Sequence, residues 1–205
     1  MRTNSMQERQ VLWPLLIAGW SGFYVMLVEL LGGRFIAPYF GSSVYVWGSV
    51  IFVFMVGLAI GYLLGGIYSR HNPSVARLCG ILMVSATATL PMLLFGDSLL
   101  EVVFSNIIDP RGGSLVACVL LYFVPTIFAG MVSPYAIRII IQDRESSGYD
   151  AGYLYFVSTV GSAAGTLLTA FYFVLWFEVS TILMAAIGTS YFLGGLGMLT
   201  NIRRS

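Results

Sequence analysis

Six long apolar segments dominate this sequence and constrain its fold more than any other feature. Crossing the roughly 30 Å of hydrocarbon in a bilayer takes roughly 20 helical residues, and each segment is at least that long. Of the 205 residues, 58% are apolar and only 9% are charged, a balance foreign to soluble domains. The sequence therefore predicts one all-α, polytopic membrane domain, residues 1–205. The predicted spans are approximately 11–31, 44–68, 75–95, 114–141, 151–176 and 179–200.

Turn-forming residues separate the predicted spans. Glycine, proline and short polar side chains interrupt apolar helices, so clusters of them predict the connecting loops. The predicted breaks are Gly32-Gly33 with Pro38, residues 71–73, residues 109–113, residues 145–148, and a tight turn near Glu178.

The distribution of arginine predicts an orientation. All ten cationic residues are arginines, and eight of them fall on one side of the predicted bundle. Only Arg34 and Arg111 fall on the other side. Because positive loops stay inside, the pattern predicts a multi-pass protein of a bacterial-type plasma (inner) membrane with both termini cytoplasmic. The first apolar run exceeds the usual signal-peptide core, which predicts a retained helix.

Two stripes of small residues predict close helix packing. Gly57, Gly61 and Gly65 recur at four-residue spacing in the second span, and Gly161 and Gly165 do so in the fifth. In lipid, helices attract one another mainly where small residues let their backbones approach. We expect both stripes to pack on neighbouring helices, and a sliding surface for conformational change is the alternative.

Glu29 and Arg34 are the two charged residues close to the end of the first apolar run. A charge inside a bilayer helix costs several kcal/mol unless it is paired, hydrated or able to snorkel. One interpretation is an interfacial ion pair near the outer membrane boundary that fixes the turn after the first span. The other is a carboxylate that faces a polar cavity and accepts a cation or a proton.

Four further residues are candidates for binding. Tyr39 fits an aromatic belt at the interface better than a ligand cage. Tyr62 and Tyr135, the latter at a proline bend, are candidates for lining a cavity. Arg138 ends the fourth span, where it anchors the helix by snorkelling or binds an anionic lipid or a partner's carboxylate.

Several classes of site lack support in the sequence. His71 is the single histidine and has no ligand cluster around it, so no metal or cofactor is predicted. No G-x-S-x-G nucleophile motif occurs, and Arg203-Arg204 is too short a basic run to predict nucleic-acid binding. Cys79 and Cys118 fall at opposite predicted depths, which argues against a disulfide between them.

Four ordered runs carry a family resemblance. ELLGGRFIAPYFGSSVYVW (29–47), GLAIGYLLGG (57–66), GMVSPYAIR (130–138) and GYLYFVSTVGSAAGT (152–166) resemble the membrane region of spermidine synthase-like membrane proteins. The resemblance covers about residues 20 to 175. It implies a half-sized bundle related to the major facilitator superfamily, built from two three-helix repeats. In that family the bundle is often fused to a soluble aminopropyltransferase domain.

The chain departs from this family in two places. Ser69 stands where facilitator halves commonly carry an acidic residue after the second helix. No glycine-rich nucleotide loop follows a strand anywhere in the sequence, so the soluble catalytic domain is missing. We therefore expect that this chain is not an enzyme.

Two functions are consistent with the sequence. The first is a non-catalytic membrane subunit or scaffold that docks a partner protein through residues 70–77, residues 138–150 and the C-terminal tail. The alternative is a small transporter of polyamines or other organic cations that acts as a homodimer, with Glu29 as its acidic group. The nearly uncharged centres of the spans favour the first.

Overall fold

The computed structural model describes residues 2–141 and 147–202, and it describes side chains within 11–141 and 147–200. Residues 142–146 of the predicted fourth loop, with Arg144, and the predicted cytoplasmic Arg203-Arg204 lie outside the described residues. The described chain is helical throughout, with short connections between elements. The helices are α1 (Arg2–Phe40), α2 (Val44–Tyr68), α3 (Val75–Asn106), α4 (Pro110–Ile140), α5 (Ser147–Leu168), a π-helical segment (Thr169–Phe173), α6 (Val174–Trp176) and α7 (Val179–Ile202).

Within the described ranges, six helices are long and apolar enough to cross a membrane. The predicted all-α fold with six spans is therefore confirmed at this level. The fifth span, Ser147–Trp176, consists of α5, the π-helical segment and α6 in direct succession. The sixth span is α7.

The predicted break at Gly32-Gly33 is wrong, because α1 continues through it to Phe40. The two glycines make room for aromatic rings. A Cβ atom at Gly32 would lie 3.0 Å from the ring of Tyr122 in α4, and one at Gly33 would lie 2.7 Å from the ring of Trp47 in α2. The helix ends instead at Phe40, and the next residue, Gly41, has a φ of +79°, a left-handed conformation that glycine adopts without strain.

Other helices also begin earlier or end later than predicted. α3 runs to Asn106, so its last turns include polar positions that the sequence had assigned to a loop. α4 begins at Pro110, and the side chain of Asp109 caps it by accepting a hydrogen bond from the backbone N–H of Arg111 at 3.0 Å. Polar or glycine-rich ends of transmembrane helices extend beyond the apolar run that predicts them.

Contacts between helices establish their directions. α1 and α3 run parallel, since Tyr24 contacts Thr89 and, further along both helices, Tyr39 contacts Asp97. α4 runs antiparallel to α1: its Tyr122 reaches Gly32, whereas its later residue Ala129 accepts from the earlier Ser21. The spans thus alternate in direction along the chain.

Neighbouring spans pack closely along two rows of glycines, which we call glycine seams. On α2, the buried Gly57, Gly61 and Gly65 face α4, and a Cβ atom at Gly61 would overlap the backbone of that helix. On α5, Gly161 and Gly165 lie against the α1 backbone at Gly19 and Phe23. Both predicted stripes thus lie at helix interfaces, where small residues allow close approach.

Candidate functional site

Glu29 lies on a face of α1 that no helix fully covers. Successive helical residues turn by about 100°, so Glu29 projects within about 20° of Gly22, which packs on α5. On its other side, about 80° away, Ser21 donates a hydrogen bond to the carbonyl of Ala129 in α4. The half-buried Glu29 side chain therefore projects between the directions of α4 and α5. We call this side of the bundle, bordered by α2, α4 and α5, the central face.

The continuous α1 helix sets the depth of Glu29. The first span is Val11–Phe40, 30 residues long. Along the helix axis, Glu29 lies roughly 5 Å from the middle of this span and roughly 16 Å from its end at Phe40. The carboxylate therefore lies deeper than the predicted position at the outer boundary, because the helix does not end at the glycine pair.

No ion pair joins Glu29 to Arg34. Within residues 11–141 and 147–200, Glu29 forms neither an ion pair nor a hydrogen bond. A separation of five residues on a continuous helix turns the two side chains about 140° apart. Arg34 is exposed on a different side of α1. The interpretation of the two residues as an ion pair that fixes a turn is therefore wrong.

Two tyrosines border the central face at the opposite end of the bundle from Phe40. Tyr62 of α2 and Tyr155 of α5 are each about half exposed, at 50% and 54%. Tyr155 projects within about 20° of Ser162 on α5, and Ser162 lies against Gly22 of α1, close to the direction of Glu29.

The remaining candidate residues do not converge on Glu29. Tyr39 lies at the far end of α1, where its hydroxyl donates to the carbonyl of Asp97 at 3.4 Å. Tyr135 is fully buried and its hydroxyl accepts from the backbone N–H of Ser74 at 3.3 Å, so it fills the core instead of lining an open cavity. Arg138 is exposed in the last turn of α4.

An aromatic cavity that sequence reasoning missed lies between α1, the π-helical segment and α7. Its volume is about 260 Å³, and aromatic and aliphatic side chains dominate its lining. Trp20 stacks on Phe23 at 5.2 Å between ring centroids and donates from Nε1 to Ser190 Oγ at 2.8 Å. The spacing of Trp20, Phe23 and Leu27 on one helical face is the signal that the sequence offered for it.

The π-helical segment interrupts the fifth span between α5 and α6. The backbone N–H of Val174 donates to the carbonyl of Thr169, five residues earlier, as a π-helix requires. Thr169 is fully buried, and its Oγ1 is a buried side-chain oxygen without a hydrogen-bond partner in the part of the chain that the structure describes. The residues 169–173 carry no sequence signal that distinguishes a π-helix from an α-helix.

The described residues contain no group of three or more His, Cys, Asp or Glu side chains placed to hold a metal ion. Cys79 and Cys118 are both free and buried. No protein family, curated protein or solved structure matches this chain. The site must therefore be interpreted from its own chemistry.

Proposed function

We propose that this chain is a non-catalytic subunit of a membrane assembly, and that a second membrane-embedded surface covers its central face. The observation that carries the proposal is Glu29: a half-buried carboxyl group close to the middle of a span, with no ion pair or hydrogen bond among the described residues. A carboxylate in hydrocarbon costs several kcal/mol. A polar group from outside the isolated bundle removes that cost.

The chemistry of Glu29 defines what the covering surface offers. An arginine, lysine or histidine side chain, or a hydrogen-bond donor such as an amide, satisfies a carboxylate at this depth. The partner is therefore a transmembrane helix or bundle with one such group near the middle of its span. The exposed sides of α2 and α5 supply apolar contact area around Glu29 and the partner's polar group. The fifth span is the least buried of the six: in its 18-residue apolar stretch only 11% of the residues are buried inside the bundle.

The arrangement of the glycine seams supports a facilitator-like half bundle. α2, the second span of the first three, packs on α4, the first span of the second three. α5, the second span of the second three, packs on α1, the first span of the first three. If the first three spans and the second three spans swap places, the α2–α4 seam becomes the α5–α1 seam. The two three-helix repeats within a facilitator half are related in this way. In such a half bundle the central face is the surface that meets another half.

Extraction of the chain from its native membrane in polymer nanodiscs, without detergent, tests the proposal. Mass measurement of the particles is expected to show a stoichiometric companion, which is either a different protein or a second copy. Glu29→Gln should weaken the association, whereas the matched Glu101→Gln, at an exposed carboxyl near the end of α3, should leave it intact. Particles that hold one copy of this chain and no other protein would contradict the proposal.

A homodimeric carrier of polyamines or other organic cations is the second candidate. The depth of Glu29 favours it, since transporters bind substrates near the bilayer midplane and ionisable side chains there mark cation pathways. In a homodimer, two Glu29 carboxylates would face one shared cavity between the central faces.

Uptake of a labelled polyamine into vesicles that contain the purified chain tests the second candidate. Uptake above that of empty vesicles, lost in Glu29→Gln and kept in Glu101→Gln, would support a carrier. A companion protein in the nanodiscs, together with no uptake above that of empty vesicles, would leave the subunit proposal and exclude the carrier.

A further inference from the structure

A groove separate from the central face opens at the end of the bundle that holds Arg70, Arg77 and Arg138. It lies between α2, α3 and α4 and has a volume of about 460 Å³. Its α3 wall consists of residues spaced at i, i+3, i+4 and i+7, so the groove follows one helical face for roughly 10 Å. The lining residues are Tyr68, Arg77, Gly80, Ile81, Val84, Phe128 and Met131.

The polarity of the groove changes along its length. At the mouth are the guanidinium of Arg77 and the ring of Tyr68, both exposed. Further along, Ile81 and Met131 form a buried apolar floor, and Val84 is a partly exposed wall. Gly80 adds no side chain to this wall, and the nearest atom to a Cβ there would be the Met198 methyl group of α7 at 3.7 Å.

Arg77 is held in place above this groove by the loop that precedes α3. Its Nη1 donates to the backbone carbonyls of His71 and Asn72. Among the described residues these are its side-chain hydrogen bonds, so Nε and Nη2 remain able to donate. A guanidinium with a fixed orientation and free donors suits a phosphate group, which it binds through two parallel hydrogen bonds.

We propose that this groove binds one anionic glycerophospholipid, with its phosphate on Arg77 and one acyl chain along Ile81, Val84 and Met131. The charge at the mouth complements an anionic headgroup, and basic pockets between transmembrane helices bind such headgroups. Below Arg77 and Tyr68 the lining is apolar, which suits an acyl chain and excludes a polar ligand. Neither α1 nor α5 contributes to the groove, so this proposal is independent of the proposed function.

Binding of phosphatidylglycerol and of phosphatidylcholine with the same acyl chains to the purified chain, followed by native mass spectrometry, tests the site. The wild type should prefer phosphatidylglycerol by about five-fold, the effect of one arginine near an anionic headgroup. Arg77→Gln should abolish the preference. Arg111→Gln, at the start of α4 and the opposite end of the bundle, should keep it.

A second variant tests the acyl-chain part without touching the loop contacts of Arg77. Val84 is 44% exposed, so Val84→Trp adds bulk in the groove and leaves the core intact. It should weaken binding of both lipids to a similar extent, with an unchanged helical circular-dichroism spectrum. Equal wild-type affinity for the two lipids, a preference that survives Arg77→Gln, or unchanged binding in Val84→Trp would overturn the proposal.

Discussion

Gly161 of α5 packs directly on the backbone carbonyl of Gly19 in α1. Even a methyl group at position 161 would overlap that oxygen, so the two helices approach as closely as their backbones allow. This contact holds the fifth span, which has few other buried residues, against the rest of the bundle. The α1–α5 seam therefore sets one border of the central face.

The Gly161–Gly19 contact predicts a large effect of a small substitution. Gly161→Ala should lower the free energy of unfolding by about 1–3 kcal/mol, the usual cost of overpacking. The matched control is Gly152→Ala on the same helix, where no atom lies within 4 Å of the added methyl group. Unfolding in mixed micelles, followed by circular dichroism, measures both. Equal stability of the two variants would contradict close packing of α5 on α1 at Gly161.

The hydrogen bond between Tyr24 and Thr89 links α1 to α3 inside the core. The hydroxyl of Tyr24 donates to Thr89 Oγ1 at 2.7 Å, and both residues are buried. Thr89 also donates to the carbonyl of Ser85, so removal of the tyrosine hydroxyl leaves no orphaned group. A double-mutant cycle with Tyr24→Phe and Thr89→Val should give a coupling energy of about 0.5–1 kcal/mol. A coupling of zero would show that the bond contributes nothing.

Hydropathy predicted the spans because a chain in lipid must hydrogen-bond its own backbone, and a helix of apolar residues does so. The attraction between helices over small residues in lipid predicted the glycine seams, since the stripes that begin at Gly57 and Gly161 continue at four-residue spacing. Both conclusions depend on local sequence alone. The helix ends were less accurate, because residues such as Asp97 and Arg111 belong to helices that continue past the apolar run.

The Gly32-Gly33 error shows what a local pattern omits. Two adjacent glycines predict a turn unless a neighbouring helix occupies the space that their missing side chains leave. Here Tyr122 and Trp47, from other helices, fill that space. Because the predicted break was wrong, so was the depth assigned to Glu29. The Arg77 groove and the π-helical segment depend likewise on contacts between helices.

The orphaned hydroxyl of Thr169 predicts a stabilising substitution. A buried donor without a partner costs about 1–3 kcal/mol, and valine has nearly the same shape as threonine. Thr169→Val should therefore raise the free energy of unfolding by about 1 kcal/mol or more. The matched Thr166→Val, in the same span, loses the 3.0 Å bond from Oγ1 to the Ser162 carbonyl and should gain nothing. Loss of stability in Thr169→Val would mean that the hydroxyl has a partner.

Among the described residues, Glu29 contributes no hydrogen bond or ion pair to the bundle. Glu29→Gln should therefore leave the stability of the purified chain unchanged or raise it, because an amide costs less than a carboxylate in an apolar setting. Asp109→Ala serves as the comparison, since it removes the cap of α4 and should cost about 0.5–2 kcal/mol. Thermal unfolding in detergent measures both variants. Marked destabilisation by Glu29→Gln would point to an internal structural role for the carboxylate.

Photo-crosslinking in the native membrane tests most directly whether another protein covers the central face. A photoreactive amino acid replaces Tyr155, beside this face, and in a second variant it replaces Phe95, an exposed residue on α3. We expect a discrete protein adduct from position 155 that weakens when Glu29→Gln is added, and no discrete protein adduct from position 95. Lipid adducts alone at both positions would contradict it.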